Sequence, residues 1–186
     1  MLYLLVGVLA FALFFVYDIN SVVFKNKLLS GCFILGVILL GGSTLGIVVS
    51  SGALIQINAF DIILYGSLAV ICFFLLIYTL FFALPFQETY LEQREAPKIY
   101  KAGMYALCRH PGVLWFIGFY LFLGLLLKLP LLTTAAIVYS LFNLFYVIFQ
   151  DSWTFMKLFS DYALYKEETP FLLPSLESIK RCIQTI

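Results

Sequence analysis

The sequence predicts an all-α fold: a polytopic membrane helix bundle of about five transmembrane helices, followed by a C-terminal amphipathic interfacial helix. Three observations predict it. First, 63% of the 186 residues are hydrophobic and only 11% are charged, where soluble domains run near a quarter charged; the mean hydropathy is +1.06. That leaves too little polar surface to coat a water-soluble globule. Second, the apolar runs have lengths close to the roughly 20 residues that cross a bilayer. Third, the cations gather in alternate connections, as expected of a chain that crosses a membrane repeatedly.

Leu2 to Tyr17 carries no charge and makes the first span. It has no Lys or Arg before its apolar core and no small-residue cleavage site after it, so it reads as a retained helix rather than a secretory signal. Leu28 to Val49 makes the second, rich in small residues: Gly36, Gly41, Gly42, Ser43, Thr44 and Gly46. Gly42 and Gly46 form a Gly-x-x-x-Gly, a spacing that lets helix backbones approach closely. Packing within the chain is its expected use, and oligomeric state stays open. Ile62 to Phe86 makes the third span. Val113 to Phe149 is a single apolar region interrupted at Lys128-Leu129-Pro130. Proline sits badly inside a helix, so this region reads as a tight hairpin of the fourth and fifth helices. A four-span arrangement with an interfacial N-terminus is the alternative. Gln150 and Asp151 then close the fifth helix. Trp153, Met156, Phe159 and Ala163 recur at helical spacing, which predicts the amphipathic helix. Pro170 and Pro174 bracket Phe171-Leu172-Leu173, a stretch expected to tuck back under the bundle.

Five spans put the termini on opposite sides. With the N-terminus outside, Lys25, Lys27, Arg94, Lys98, Lys101, Arg109, Lys157, Lys166, Lys180 and Arg181 all fall inside, and only Lys128 falls outside. The positive-inside rule selects that orientation, with a cytosolic C-terminus. Two polar segments, Gln87 to His110 and Asp151 onward, are then cytosolic.

Several function classes are excluded or disfavoured. The net charge of +1 offers no field for nucleic acid. No inverted repeat is visible and charge within the spans is nearly absent, with Asp61 at a helix end, which disfavours a pump or channel. His110 is the lone histidine and the four cysteines are scattered, so no zinc site is expected. Cys108 and Cys182 lie on the reducing side, which argues against a disulfide framework. Cys108 beside Arg109 reads as an ordinary small interfacial residue in preference to an activated thiol. No glycine-rich phosphate loop is present.

What remains is Gly103-Met-Tyr-Ala-Leu-Cys-Arg-His-Pro-Gly112. A residue before proline is pushed out of helical conformation, so His110 should not be helical, and Pro111 suits the first turn of the fourth helix. That helix start, with unpaired N–H groups and Arg109 alongside, is suited to an anion such as a carboxylate or phosphate. The blander use of Arg109 is snorkelling to lipid headgroups. Asp151, a carboxylate at the membrane boundary, suits either a ligand's ammonium or plain solvation.

Gly103-x-Tyr105-x-x-x-Arg109-His110-Pro111, two short spans, an acidic residue, then Phe159-Ser-Asp-Tyr162-x-x-Tyr165 with Pro170 and Pro174, resembles the isoprenylcysteine carboxyl methyltransferase family, part of a wider set of membrane methyltransferases that includes phospholipid methyltransferases. The resemblance covers roughly Tyr90 to Pro174. It implies a single integral membrane domain over 1–186, with three packing helices in 1–86 and a cofactor-binding half in 87–186. It implies an enzyme that uses S-adenosylmethionine at the cytosolic face to methylate a membrane lipid or lipidated acceptor arriving from the bilayer. Lys98, Ile99, Tyr100, Tyr105, His110, Pro111, Gly112, Val113 and Asp151 are its implied cofactor-binding residues, with Arg109 and His110 in positioning roles.

The chain departs from the family in places. The family's Glu-Glu pair reads Asp151-Ser152, its Phe-Gly reads Phe159-Ser160, and one residue is missing before Tyr162. Members acting on a prenylcysteine carboxylate carry an arginine about one turn before the glutamate, where this chain has Phe145-Tyr146-Val147-Ile148. The acceptor is therefore left open among an amine, a thiol and another lipid group. An NADPH-dependent sterol-reductase-like enzyme and a non-catalytic membrane scaffold are the alternative functions, the former lacking a cation cluster for the cofactor's extra phosphate. A bacterial inner membrane is the expected location.

Overall fold

The computed structural model describes residues 1–52, 57–82 and 98–185. The end of the expected third span beyond Phe82, and the polar segment from Gln87 through Arg94, lie outside the described residues. Among the described residues, eight helical elements follow in order: α1 Leu2–Phe24, α2 Leu29–Ser50, α3 Ala59–Phe82, the single turn α4 Met104–Leu107, α5 Pro111–Leu127, α6 Pro130–Leu158, α7 Tyr162–Glu168 and α8 Leu176–Thr185. No strand occurs among the described residues. α1, α2, α3 and α6 are long and apolar enough to cross a membrane. α5 is equally apolar but has 17 residues, about 25 Å at 1.5 Å per residue. The chain is an all-α integral membrane bundle.

α1 packs against α2 and α6, α5 packs against α6, and α3 packs against α5. Where α1, α2, α5 and α6 meet, the core holds Phe11, Ile47, Phe116, Tyr120, Leu132 and Tyr139. The tyrosine hydroxyls buried there need partners, and α2 supplies them: Ser43 Oγ lies 3.0 Å from Tyr139 Oη, and Thr44 Oγ1 lies 2.7 Å from Tyr120 Oη. Among the described residues, close approach depends on glycine at four places, one of them Gly118, where a Cβ would come within 2.7 Å of Cys72 Sγ. A Cβ on Gly7 would come within 2.1 Å of the Tyr139 hydroxyl, one on Gly36 within 2.6 Å of Phe14, and one on Gly46 within 2.4 Å of Tyr3. Gly42 has nothing within 4 Å, so the Gly-x-x-x-Gly contributes only its second glycine to packing inside the chain. Leu5, Leu9, Ile38, Leu45, Val70, Phe74 and Leu121 are exposed, the belt that lipid covers.

Proline and left-handed backbone mark the turns. Lys25 (φ 52°) ends α1, and the Asn20 side chain staples the turn by donating to Asn26 O at 2.9 Å and accepting from Asn26 N at 2.9 Å. Lys128 (φ 53°) ends α5 with its N–H on Gly124 O at 2.9 Å, and Pro130 begins α6. The predicted hairpin at Lys128-Leu129-Pro130 is therefore observed.

Three expectations need correction. α1 runs past Tyr17 to Phe24, which places Asp18 inside a spanning helix and 3% exposed. It is stable there because Tyr146 Oη and Thr154 Oγ1 donate to its two oxygens at 3.1 and 3.3 Å, so charge within the spans is not confined to helix ends. Second, α6 does not close at Gln150-Asp151. It widens into a π-helical turn over Gln150–Thr154 and continues to Leu158, breaking at Phe159, whose backbone is extended. The predicted amphipathic helix from Trp153 to Ala163 is thus split between α6 and α7. Third, the amphipathic C-terminal helix is α8. Ser175 and Ser178 cap its start reciprocally, at 2.9 and 3.1 Å; Ser178 and Cys182 are buried, and Leu176, Ile179 and Ile183 are exposed on another face. In the Pro170–Pro174 stretch, Phe171 and Leu172 pack on the core and Leu173 stays exposed.

Candidate functional site

The segment before α5 folds as the proline predicts. α4 ends in an extended Cys108, and His110 sits outside helical conformation (φ −126°, ψ 60°) with Pro111 in the first turn of α5. Backbone hydrogen bonds hold this bend against the chain after α7: Arg109 N–H donates to Pro170 O at 2.9 Å and His110 N–H to Phe171 O at 3.3 Å. The proline-bracketed stretch therefore has a definite role, which is to clamp the Arg-His loop from below.

That clamp aims two side chains at Asp151. The π turn in α6 directs the Asp151 carboxylate inward, where the residue is 6% exposed. Its Oδ1 receives the Tyr162 hydroxyl at 2.7 Å, with His110 Nε2 at 3.3 Å and Arg109 Nε at 2.8 Å. Its Oδ2 pairs with Lys166 Nζ at 2.9 Å and accepts from Arg109 Nη2 at 3.4 Å. The Arg109 Nε is near enough for charge pairing, yet its N–H makes no hydrogen bond. Arg109 Nη1 donates instead to Lys166 O at 2.8 Å and Thr169 O at 3.1 Å. The guanidinium thus ties the α5 approach to α7, and it lies over the Phe171 ring at 5.5 Å.

The His110 ring stacks on Phe155 at 5.8 Å and meets the edge of Phe171 at 5.2 Å. Burial pulls its pKa below the ordinary value, aided by Arg109 and Lys166 and opposed by Asp151. His110 is therefore the neutral imidazole at neutral pH. Burial raises Tyr162 and Tyr165, which stay phenols able to donate. Burial also pushes the Cys108 thiol up to about 12, so Cys108 is the inert packing residue expected. With Arg109 and Lys166 against one carboxylate, the cluster carries one surplus positive charge.

Of the residues singled out from the sequence, Arg109, His110, Pro111 and Asp151 come together here. Tyr105 joins the same layer: its carbonyl accepts from Tyr165 Oη at 2.6 Å and its hydroxyl donates to Thr79 O at 3.0 Å, linking α7, α4 and α3. Lys98, Ile99 and Tyr100 run beside the start of α7, where Ile99 N–H donates to Asp161 Oδ1 at 2.9 Å; Lys98 is exposed. Gly112 faces Leu76 and Leu80 of α3, and the Val113 side chain belongs to the core. These two offer the site backbone only. Lys166 is a participant that the sequence did not single out. The signal was faint: Tyr162, Tyr165 and Lys166 at i, i+3 and i+4 share one face of a helix.

An open cavity of about 550 Å³ lies at the other end of α5 and α6, lined by Asp61, Tyr65, Gly124, Lys128, Pro130 and Thr133. It is remote from the Asp151 cluster. Lys128 Nζ lies 2.5 Å from Asp61 Oδ2 in its wall. Among the described residues, no three His, Cys, Asp or Glu side chains group as a metal site.

No protein-family model, curated protein or solved structure matches the chain.

Proposed function

We propose that this protein is an S-adenosylmethionine-dependent membrane methyltransferase acting on a lipid-like or membrane-embedded acceptor at the cytosolic face. One observation carries the reading. Arg109 and His110 of the loop before α5 and Tyr162 of α7 come from separate segments, yet all three meet the carboxylate of Asp151 in α6, and Tyr165 ties α7 to the same loop through the Tyr105 carbonyl. These are the segments whose motifs resemble the isoprenylcysteine carboxyl methyltransferase family.

The residues suit the amino-acid arm of such a cofactor. Lys166 already presents an ammonium to Asp151 Oδ2 at 2.9 Å, so that oxygen accepts the group a ligand's α-amine would bring. The start of α5, with the positive charge of Arg109 alongside, suits a carboxylate. When bound, the cofactor supplies a methyl group on an electrophilic sulfonium. The chain's own residues bind, orient and exclude water: Phe155 and Phe171 pack about the neutral His110 ring, and Arg109 stands as the fixed counter-charge of Asp151. Such positioning and desolvation are the expected sources of rate.

In this reading the N-terminus lies outside and the C-terminus in the cytosol, in a bacterial inner membrane. The turn bearing Lys25 and Lys27 supports the orientation: it follows Asp18, which bonds Thr154 of α6 only three residues past Asp151, so these cations and the site share one end of the bundle.

A non-catalytic scaffold is the second reading, favoured by the fact that Asp151 is fully partnered by its own chain and can serve as a clasp. The two part in one experiment. Membranes containing the protein are incubated with methyl-tritiated S-adenosylmethionine and extracted into organic solvent. Label in the lipid phase, absent from membranes carrying Asp151→Asn, is expected. No transfer to any membrane component, by protein that is present and folded, favours the scaffold.

A further inference from the structure

We propose that Lys166 is a built-in occupant of the ligand's ammonium seat on Asp151, and that ligand binding turns its side chain out to water. The inference rests on the methyltransferase reading and adds a switch to it. Asp151 has two kinds of cationic partner. Arg109 is 10% exposed and anchored by the Lys166 and Thr169 carbonyls, so it belongs to the frame. Lys166 is different: its side chain is 34% exposed, on the seven-residue α7 that follows the break at Phe159. Among the described residues, its Nζ contacts are both to Asp151, the carboxylate at 2.9 Å and the backbone carbonyl at 3.3 Å.

The arithmetic of acceptors makes the exchange necessary. A carboxylate has about four acceptor positions, and Asp151 already receives Tyr162, His110, Arg109 and Lys166. An incoming ammonium needs one of them. Tyr162 and His110 are buried, and Arg109 is pinned by two further bonds, whereas a half-exposed lysine regains full hydration on leaving. Its departure also removes a cation that would repel the incoming one. A partly exposed ion pair is worth little, so Lys166 is the partner most cheaply replaced. In the free protein it keeps the buried carboxylate paired, as a buried charge requires.

The test titrates S-adenosylhomocysteine and adenosine into purified wild-type and Lys166→Met protein in detergent, by calorimetry. Removing the occupant is expected to tighten S-adenosylhomocysteine by about threefold, the scale of a partly exposed ion pair. Adenosine, which lacks the amino-acid arm, is expected to bind both alike. A second measurement uses wild type alone, should the variant fold poorly. Acetylation of Lys166 by an amine-reactive ester, followed by mass spectrometry against exposed Lys180, is expected to rise on adding S-adenosylhomocysteine. If wild type binds but the variant binds equally or more weakly, or if ligand protects Lys166, the switch is overturned and the methyltransferase reading stands. If neither protein binds, both fall together.

Discussion

Arg109 and Asp151, 42 residues apart in the chain, meet with the guanidinium Nε 2.8 Å from Oδ1, their side chains 10% and 9% exposed. This pair joins the loop before α5 to the end of α6, and Tyr162, Lys166 and His110 assemble on it. Its removal should be felt as lost stability and not only as lost function. Asp151→Ala leaves a buried guanidinium without its anion, and is expected to cost about 3 kcal/mol. Asp151→Asn keeps the shape and an acceptor for Tyr162, and should cost less. Thermal unfolding in detergent ranks the two; equal loss would mean the charge is not what matters.

Acid should weaken the fold through His110. Its pKa lies below the ordinary 6.5 because of burial, with Arg109 and Lys166 pushing the same way and Asp151 pushing back. The folded state therefore binds the neutral ring, and unfolding takes up a proton once the pH falls below about 6.5. Stability is intact above that value and declines as pH falls below it. Melting curves between pH 7.5 and 5.5 should show this slope in wild type and a smaller one in His110→Gln. An unchanged slope in the variant would assign the effect elsewhere.

The glycines of α1 and α2 divide sharply. Gly7→Ala would drive a methyl into the Tyr139 hydroxyl at 2.1 Å and disturb its contact with Ser43, at an expected cost of about 1–3 kcal/mol. Gly42→Ala meets nothing within 4 Å and should be neutral or stabilising by up to about 1 kcal/mol. Comparing both variants in one unfolding assay checks the helix arrangement itself. A destabilised Gly42→Ala would instead reveal a second molecule seated on that face.

Much of this fold was legible because a few residues punctuate the chain locally. Pro111 and Pro130 announce helix starts, and Pro111 sets His110 outside the helix. The continuation of α6 was not legible. Gln150, Asp151 and Thr154 look like the polar end of a span, and only their distant partners make a helix affordable there: Asp18 and Arg109 lie 136 and 42 residues away in the chain. The break at Phe159 has neither proline nor glycine to signal it. For α8 the pattern of Leu176, Ile179 and Ile183 was present in the sequence, at i, i+3 and i+7. In the site, Arg109, His110 and Asp151 stood out by charge and spacing. Lys166 did not, because its role depends on where α7 lies after the break.

Lys128 adopts φ 53°, a conformation that suits glycine and costs other residues about 1–2 kcal/mol. Its ammonium also pairs with buried Asp61 at 2.5 Å. Lys128→Gly should therefore destabilise the wild type, since leaving Asp61 unpaired outweighs the relief of strain. In an Asp61→Asn background the same substitution should stabilise by about 1 kcal/mol. A double-mutant cycle on unfolding free energies tests the change of sign; like signs would mean the pair contributes nothing.

Ligand binding by the purified protein is the most direct test of the methyltransferase reading. S-adenosylhomocysteine and NADPH are titrated separately, by calorimetry in detergent, into wild type and into Asp151→Asn verified by its unfolding curve. Binding of S-adenosylhomocysteine by wild type, lost or strongly weakened in the folded variant, with no heat from NADPH, is the expected result. NADPH binding in place of S-adenosylhomocysteine, or no binding of either by folded protein, would contradict it.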